Sequence, residues 1–193
     1  MKKVTTLGLA FIIIMLLTTV CEGAYSTEQY ENAISAVSEA GILVGDARGF
    51  RPDDTLSRAE AAKVISTMVL GSDAKQLKGS DDKFVDVKPS DWYAGYVEYM
   101  VKTGAVGGVG GGKFNPDGKI STLAYAKMLL VSLGFDPKTN GLSGAEWSLN
   151  TQRLASEVGI FNINEVISND TLTRQDAALY TYNAMLYMEN ASK

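Results

Sequence analysis

Apolar residues recur at helical spacing along most of the chain. In the first such segment, an apolar face repeated every three to four residues predicts a helix over residues 27–40, which Gly41 ends. The same pattern predicts helices over 58–70, from a cap at Ser90 to 103, over 122–133, from 145 to 158 and from 174 to 189. The polar segments 72–83 and 135–144 lack this periodicity and are predicted to be linkers. The pattern therefore predicts an all-α fold.

One stretch of the chain has two weaker copies farther along. It reads Phe50-Arg51-Pro52-Asp53-Asp54-Thr55-Leu56-Ser57-Arg58-Ala59-Glu60-Ala61-Ala62, and the copies begin at Phe114 and Val166. A helix pair with a single apolar face cannot bury that face alone, so three such pairs are expected to pack together. We assign a leader to 1–23 and repeats to 24–71, 84–134 and 145–190, of which the third is degenerate.

Each copy opens its helix with a hydroxyl residue. Ser57 and Glu60 have the spacing of a capping box, in which each side chain satisfies a backbone donor at the helix start. Ser121 and Thr173 take the place of Ser57 in the copies, and Asp176 takes the place of Glu60 in the third. We assign these five residues a structural capping role.

Arg58 and Arg174 follow the capping residue in two of the three copies. A cation in the first helical turn opposes the helix macrodipole, at a cost of about 0.3–1 kcal/mol. An unfavourable charge at the same place twice suggests an anionic partner, and the alternative is two solvated arginines. On either interpretation, replacing them is expected to leave stability nearly intact.

Trp92 and Trp147 lie just before or within the first helix of a repeat. Large aromatic residues at helical spacing usually belong to the core, and the alternative is a surface that stacks on sugar rings.

The first residues resemble a secretory signal peptide. Lys2 and Lys3 precede a short apolar run, and the only cysteine, Cys21, lies within this leader. Its removal after Gly23 or Ala24 would shift the net charge from −4 to −5, and the alternative is a lipoprotein with Cys21 as its lipidated first residue. The mature chain would then be secreted, without a disulfide or a membrane span.

Composition excludes several kinds of chemistry. The chain has no histidine, which excludes His-based metal sites and Ser-His catalysis. Its acidic balance argues against nucleic acid, which is normally met by a basic face. The segment 107–113 resembles a phosphate-binding loop, but Phe114 follows where Ser or Thr would bind Mg²⁺. The segment 113–124 resembles a calcium loop, but Lys113 and Ala124 replace its key carboxylates. No enzyme activity, cofactor or metal is expected.

The repeat resembles the S-layer homology (SLH) family. The matching elements, in the order of the family pattern, are Phe84-Val85-Asp86-Val87, Trp92, Gly41-Ile42-Leu43-Val44-Gly45, Phe50-Arg51-Pro52-Asp53 and Ser57-Arg58-Ala59-Glu60. The resemblance implies three helix-turn-helix repeats in one pseudo-threefold domain, located at the cell wall. It also implies non-covalent binding to anionic secondary cell-wall polysaccharide, in many members through pyruvylated sugars.

The resemblance assigns ligand contacts to Arg58 and Arg174, and Trp92 and Trp147 complete the set of candidate ligand-binding residues. Repeat two departs from the pattern, because Thr122 replaces the arginine and Ala124 the glutamate, so its site is expected to be impaired. The alternative function is a protein-interaction or assembly component of the cell surface, whose degenerate repeats have lost sugar binding. Other surface proteins are then its expected partners.

Overall fold

Helices account for the regular structure of the chain in the computed structural model, which describes residues 25–80, 83–163, 165 and 167–193. Six α-helices are present in that part: α1 Thr27–Glu39, α2 Arg58–Leu70, α3 Ala94–Lys102, α4 Thr122–Ser132, α5 Trp147–Glu157 and α6 Arg174–Ala191. The described residues form isolated β-bridges but no strand. The predicted all-α class is confirmed. The predicted leader and Cys21 lie outside the described residues.

The second helix of each pair begins at its hydroxyl residue. The Glu60 amide donates to Ser57 Oγ at 3.2 Å, and the Ser57 amide donates to Glu60 Oε2 at 2.8 Å, which forms a capping box. Ser121 before α4 and Thr173 before α6 likewise accept the third helical amide, from Ala124 and Asp176, but without the returning bond of a capping box. These sequence-coded starts fix where Arg58, Thr122 and Arg174 enter their helices.

The start of α3 was predicted wrongly. Asp91 accepts hydrogen bonds from the Lys88 amide at its side chain and from the Ala94 amide at its carbonyl, so residues 88–93 form a turn. The helix begins only at Ala94, and Ser90 does not cap it. As a result Trp92 lies in a turn instead of on a helical face.

The segment after α2 is also more ordered than a linker. Gly71–Gln76 form a 3₁₀ helix that packs against α2 and buries Ala74.

Helices pack mainly against helices of a neighbouring pair. α2 packs on α3, α4 packs on α5, and α6 packs on α1, while α2, α4 and α6 contact one another. The pair nearest the amino terminus therefore closes against the pair nearest the carboxyl terminus.

Three aliphatic residues form the centre of this arrangement. The Leu56 amide donates to the Leu172 carbonyl at 3.3 Å, Leu172 donates to Ile120 at 2.9 Å, and Ile120 donates to Leu56 at 3.1 Å. All three residues are buried. Each helix pair contributes one residue to this closed ring, and each residue donates one hydrogen bond and accepts one. The three helix pairs are therefore related by a pseudo-threefold axis.

The segment between the two helices of a pair also binds the start of a helix in another pair. The Arg58 amide at the start of α2 donates to the Gly118 carbonyl, Thr122 donates to Asp170, and Arg174 donates to Asp54. Helix starts carry amides without intrahelical acceptors, and here a neighbouring link supplies those acceptors. Residues that open the helices thereby come to lie beside the turns of a different repeat.

No helix in the described part of the chain has the length and apolar character needed to cross a membrane.

Candidate functional site

Two surface grooves lie between helix pairs, and each brings one predicted arginine to one predicted tryptophan. The Arg174 groove is lined by Arg174, Ile42, Val44, Glu60, Lys63 and Trp92, among others. The Arg58 groove is lined by Arg58, Gly107, Gly108, Ala124, Lys127 and Trp147, among others. The four ligand-binding candidates from the sequence therefore assemble in two matched sets.

Arg174 is held by the link and turn of the first repeat. Its Nε donates to the Phe50 carbonyl at 2.8 Å and its Nη2 donates to the Val44 carbonyl at 2.9 Å. Its guanidinium carbon lies 5.0 Å from the centroid of the Phe50 ring. Burial lowers the pKa of Arg174, an effect that the nearby Glu60 carboxylate opposes. The group remains a cation at any physiological pH because an arginine pKa starts so high.

Arg58 makes the same contacts with the second repeat. Its Nε donates to the Phe114 carbonyl and its Nη2 donates to the Gly107 carbonyl, both at 2.9 Å. Its guanidinium carbon lies 4.7 Å from the centroid of the Phe114 ring. Burial lowers the pKa of Arg58, and the carboxylate of Asp86 opposes that shift. Asp86 is itself fixed by the backbone amides of Phe114 and Asn115, each at 2.8 Å.

These contacts correct the expectation that the arginines contribute little to stability. The macrodipole penalty is real, but each guanidinium also satisfies two backbone carbonyls and stacks on an aromatic ring of another repeat. Among the described residues, the Nη1 group of neither arginine donates a hydrogen bond. Each arginine can therefore join two repeats and still offer donors to a ligand.

Both tryptophans line the grooves, and Trp147 also packs against the core. Trp92 is 58% exposed, and Trp147 is half-buried. Each has a lysine beside its ring: Lys63 Nζ lies 5.9 Å from the Trp92 ring centroid and Lys127 Nζ lies 5.8 Å from that of Trp147. Each groove thus combines an arginine, a lysine and an aromatic face.

Sequence reasoning missed Lys63 and Lys127. The signal was available, because each lysine stands six residues after a capping serine, Ser57 or Ser121. The corresponding residue after Thr173 is Leu179, which is buried.

A third groove lies at the place equivalent to the other two, and its lining is acidic. Thr122 stands there in place of the arginine, and the lining includes Glu165, Asp170, Asp176 and Tyr180. Tyrosine hydroxyls donate to two of these acids, from Tyr180 to Glu165 at 2.7 Å and from Tyr30 to Asp176 at 2.9 Å. We refer to this place as the acidic groove.

The acidic groove changes the interpretation of repeat two. Repeat two has Thr122 in place of the arginine, and this substitution was expected to impair the site of repeat two itself. Thr122 instead borders the segment of the third helix pair, since its Oγ1 donates to the Asp170 carbonyl at 3.3 Å. The turn of repeat two binds Arg58, which comes from repeat one. The substitution at position 122 therefore affects the acidic groove and not the groove at the turn of repeat two.

A known family model matches segments of the first two helix pairs. Residues 24–62 and 83–121 match the family model of the S-layer homology domain. Each match runs from the first helix of a pair to the start of the second. These two segments are therefore similar to S-layer homology repeats, a family of non-catalytic anchoring modules.

The individual relatives include an S-layer protein, a cell wall protein and an anchoring protein. The chain is 30% identical over 138 residues to the S-layer protein sap of Bacillus anthracis, covering 67% of this chain and 16% of that protein. It is 27% identical over 199 residues to the middle cell wall protein of Brevibacillus brevis, covering 96% of this chain and 18% of that one. A cellulosome-anchoring protein of Acetivibrio thermocellus is 34% identical over 99 residues, 47% of this chain and 22% of that protein. The chain thus spans less than a quarter of the length of these relatives.

Proposed function

We propose that this protein is a secreted, non-catalytic module that attaches non-covalently to anionic secondary cell-wall polysaccharide. Its location is the surface of the cell wall, in keeping with its similarity to S-layer and cell-surface proteins. One observation carries the proposal. Two grooves repeat the same set of arginine, lysine and tryptophan, although different helix pairs supply the members of each set.

The chemistry of this set suits a negatively charged sugar. An exposed indole face packs against the apolar face of a sugar ring. A guanidinium whose Nε and Nη2 are already fixed presents its remaining donors in one direction, and charge-assisted bonds to a carboxylate are the strong ones. The lysine adds a flexible cation beside the same ring. The ligand class that fits is a saccharide bearing a carboxylate, of which a pyruvylated sugar is one example.

Repetition adds strength that one shallow groove would lack. A polysaccharide presents many equivalent units, so occupation of one groove raises the effective concentration of ligand at the other. Two weak sites can therefore retain the protein on the wall.

A protein-assembly component without sugar binding is the second candidate. The acidic groove supports it, because the arginine, the lysine and the tryptophan are all absent there. Two of the three grooves nevertheless retain all three residue types, and for this reason we favour polysaccharide binding.

The test is cosedimentation of the protein with purified wall sacculi that carry secondary cell-wall polysaccharide. Binding is expected to native sacculi and to be lost once the secondary polysaccharide is chemically removed. Amidation of the wall carboxylates should weaken binding, and removal of pyruvyl groups by mild acid tests the finer assignment. Equal binding to native and stripped sacculi would contradict the proposal and favour the assembly component.

A further inference from the structure

The two grooves differ at one helix position that faces the ligand space. Glu60 lies in the third position of α2 and lines the Arg174 groove, whereas Ala124 lies in the third position of α4 and lines the Arg58 groove. The Arg174 groove therefore contains two cations and a carboxylate. The Arg58 groove contains two cations and no carboxylate in its lining.

The carboxylate of Glu60 cannot easily move away. Its Oε2 accepts the Ser57 amide at 2.8 Å as part of the cap of α2, which fixes the charge at the groove. An anion in the Arg174 groove would meet this fixed negative charge at short range, and Coulomb repulsion between like charges is largest there.

The other acids near Arg174 do not add to this difference, because Asp46 and Asp54 are already ion-paired with neighbouring arginines. Glu60 is therefore the carboxylate by which the two grooves differ.

The shape of the grooves also differs. Val44 borders the Arg174 groove and is 52% exposed, whereas Gly107 occupies the equivalent place beside Arg58. A Cβ built on Gly107 would meet no atom within 4 Å, so the space there is open. The cavity volume is 370 Å³ beside Arg58 and 310 Å³ beside Arg174.

We infer that the two grooves are unequal: the Arg58 groove binds the carboxylate-bearing sugar more tightly than the Arg174 groove, where the fixed charge of Glu60 repels it. This inference rests on the proposed function. It adds that residues 60 and 124 set the anion preference of the two grooves.

Exchange of the charge at these two positions is the test. Ala124→Glu places a carboxylate in the Arg58 groove, and Ala124→Gln is its neutral counterpart of the same shape. Glu60→Gln removes the charge from the Arg174 groove and keeps an oxygen that can accept the Ser57 amide. Binding to native sacculi is measured for each variant at low and at high salt, with circular dichroism as the check on folding.

The unequal grooves predict a specific pattern. Ala124→Glu should bind about tenfold more weakly than Ala124→Gln, and Glu60→Gln should bind about threefold more tightly than the unaltered protein, with both differences reduced by salt. On sacculi with amidated carboxylates, Ala124→Glu and Ala124→Gln should bind alike. Equal binding of these two variants to native sacculi, or no gain for Glu60→Gln, would overturn the inequality while the unaltered protein still binds. Failure of the unaltered protein to bind would instead overturn the proposed function itself.

Discussion

Arg58 and Phe114 join two repeats through one contact. The guanidinium carbon lies 4.7 Å from the ring centroid, and Nε donates to the carbonyl of the same phenylalanine at 2.9 Å. Arg174 repeats this contact with Phe50. A residue at a helix start thereby fixes the link of a different helix pair, and the groove is formed beside that contact.

Removal of such an arginine should destabilise the fold. Arg174→Ala deletes two hydrogen bonds to backbone carbonyls and an aromatic contact, and the loss is expected to be about 2–3 kcal/mol in the free energy of unfolding. Urea denaturation measures it. Arg153→Ala is the matched control, because Arg153 is exposed and, among the described residues, forms only a surface ion pair with Glu157, for which about 0.5 kcal/mol or less is expected. Equal effects of the two substitutions would contradict the structural role.

The cap of α2 should be separable from ligand binding. Ser57→Ala removes the hydroxyl that accepts the Glu60 amide, with an expected cost of about 1 kcal/mol in stability. Binding to sacculi, measured well below the unfolding transition, should stay the same because Ser57 does not line either groove. A clear loss of binding by the folded variant would place the cap within the site.

The acidic groove should not become a third binding site through one substitution. Thr122→Arg restores the arginine of the repeat, but the new cation would lie among Glu165, Asp170 and Asp176, and Leu179 stands where the lysine would be. We expect the affinity for sacculi to remain unchanged in a binding isotherm. A gain as large as the loss caused by Lys127→Gln would show that the arginine alone makes a groove functional.

The helix pairs should fold as one unit. Residues 24–144 lack α5 and α6, so α4 loses α5 and α1 loses α6. The ring of hydrogen bonds through Leu172 is broken as well. This fragment is expected to show no cooperative urea transition by circular dichroism. A cooperative transition with the midpoint of the full chain would contradict the shared core.

The sequence predicted the helices and their caps well, because these depend on local periodicity and on hydroxyl residues at fixed places. The starts of α2, α4 and α6 follow directly from Ser57, Ser121 and Thr173. The start of α3 did not follow from Ser90, because Asp91 forms a competing turn whose hydrogen bonds no periodicity reveals.

The grooves were only partly predictable. Repetition singled out Arg58 and Arg174, but the sequence does not say that each belongs to the turn of a different repeat. The pairing of each arginine with the turn of a different repeat depends on contacts between residues about 50 to 130 positions apart, such as those of Arg58 with Gly107 and of Arg174 with Val44. Because of it, the missing arginine of repeat two was assigned to the wrong groove.

The most direct measurement is the binding of a variant that removes one cation from each groove. Lys63→Gln with Lys127→Gln leaves the caps and the arginine contacts in place, and glutamine is a good helix former. Lys75→Gln with Lys138→Gln is the control, since it makes the same change in charge at two exposed positions outside the grooves. In cosedimentation with native sacculi, the groove variant is predicted to bind at least about tenfold more weakly than the control. Equal binding by the two folded variants would contradict the claim that these grooves bind the wall polysaccharide.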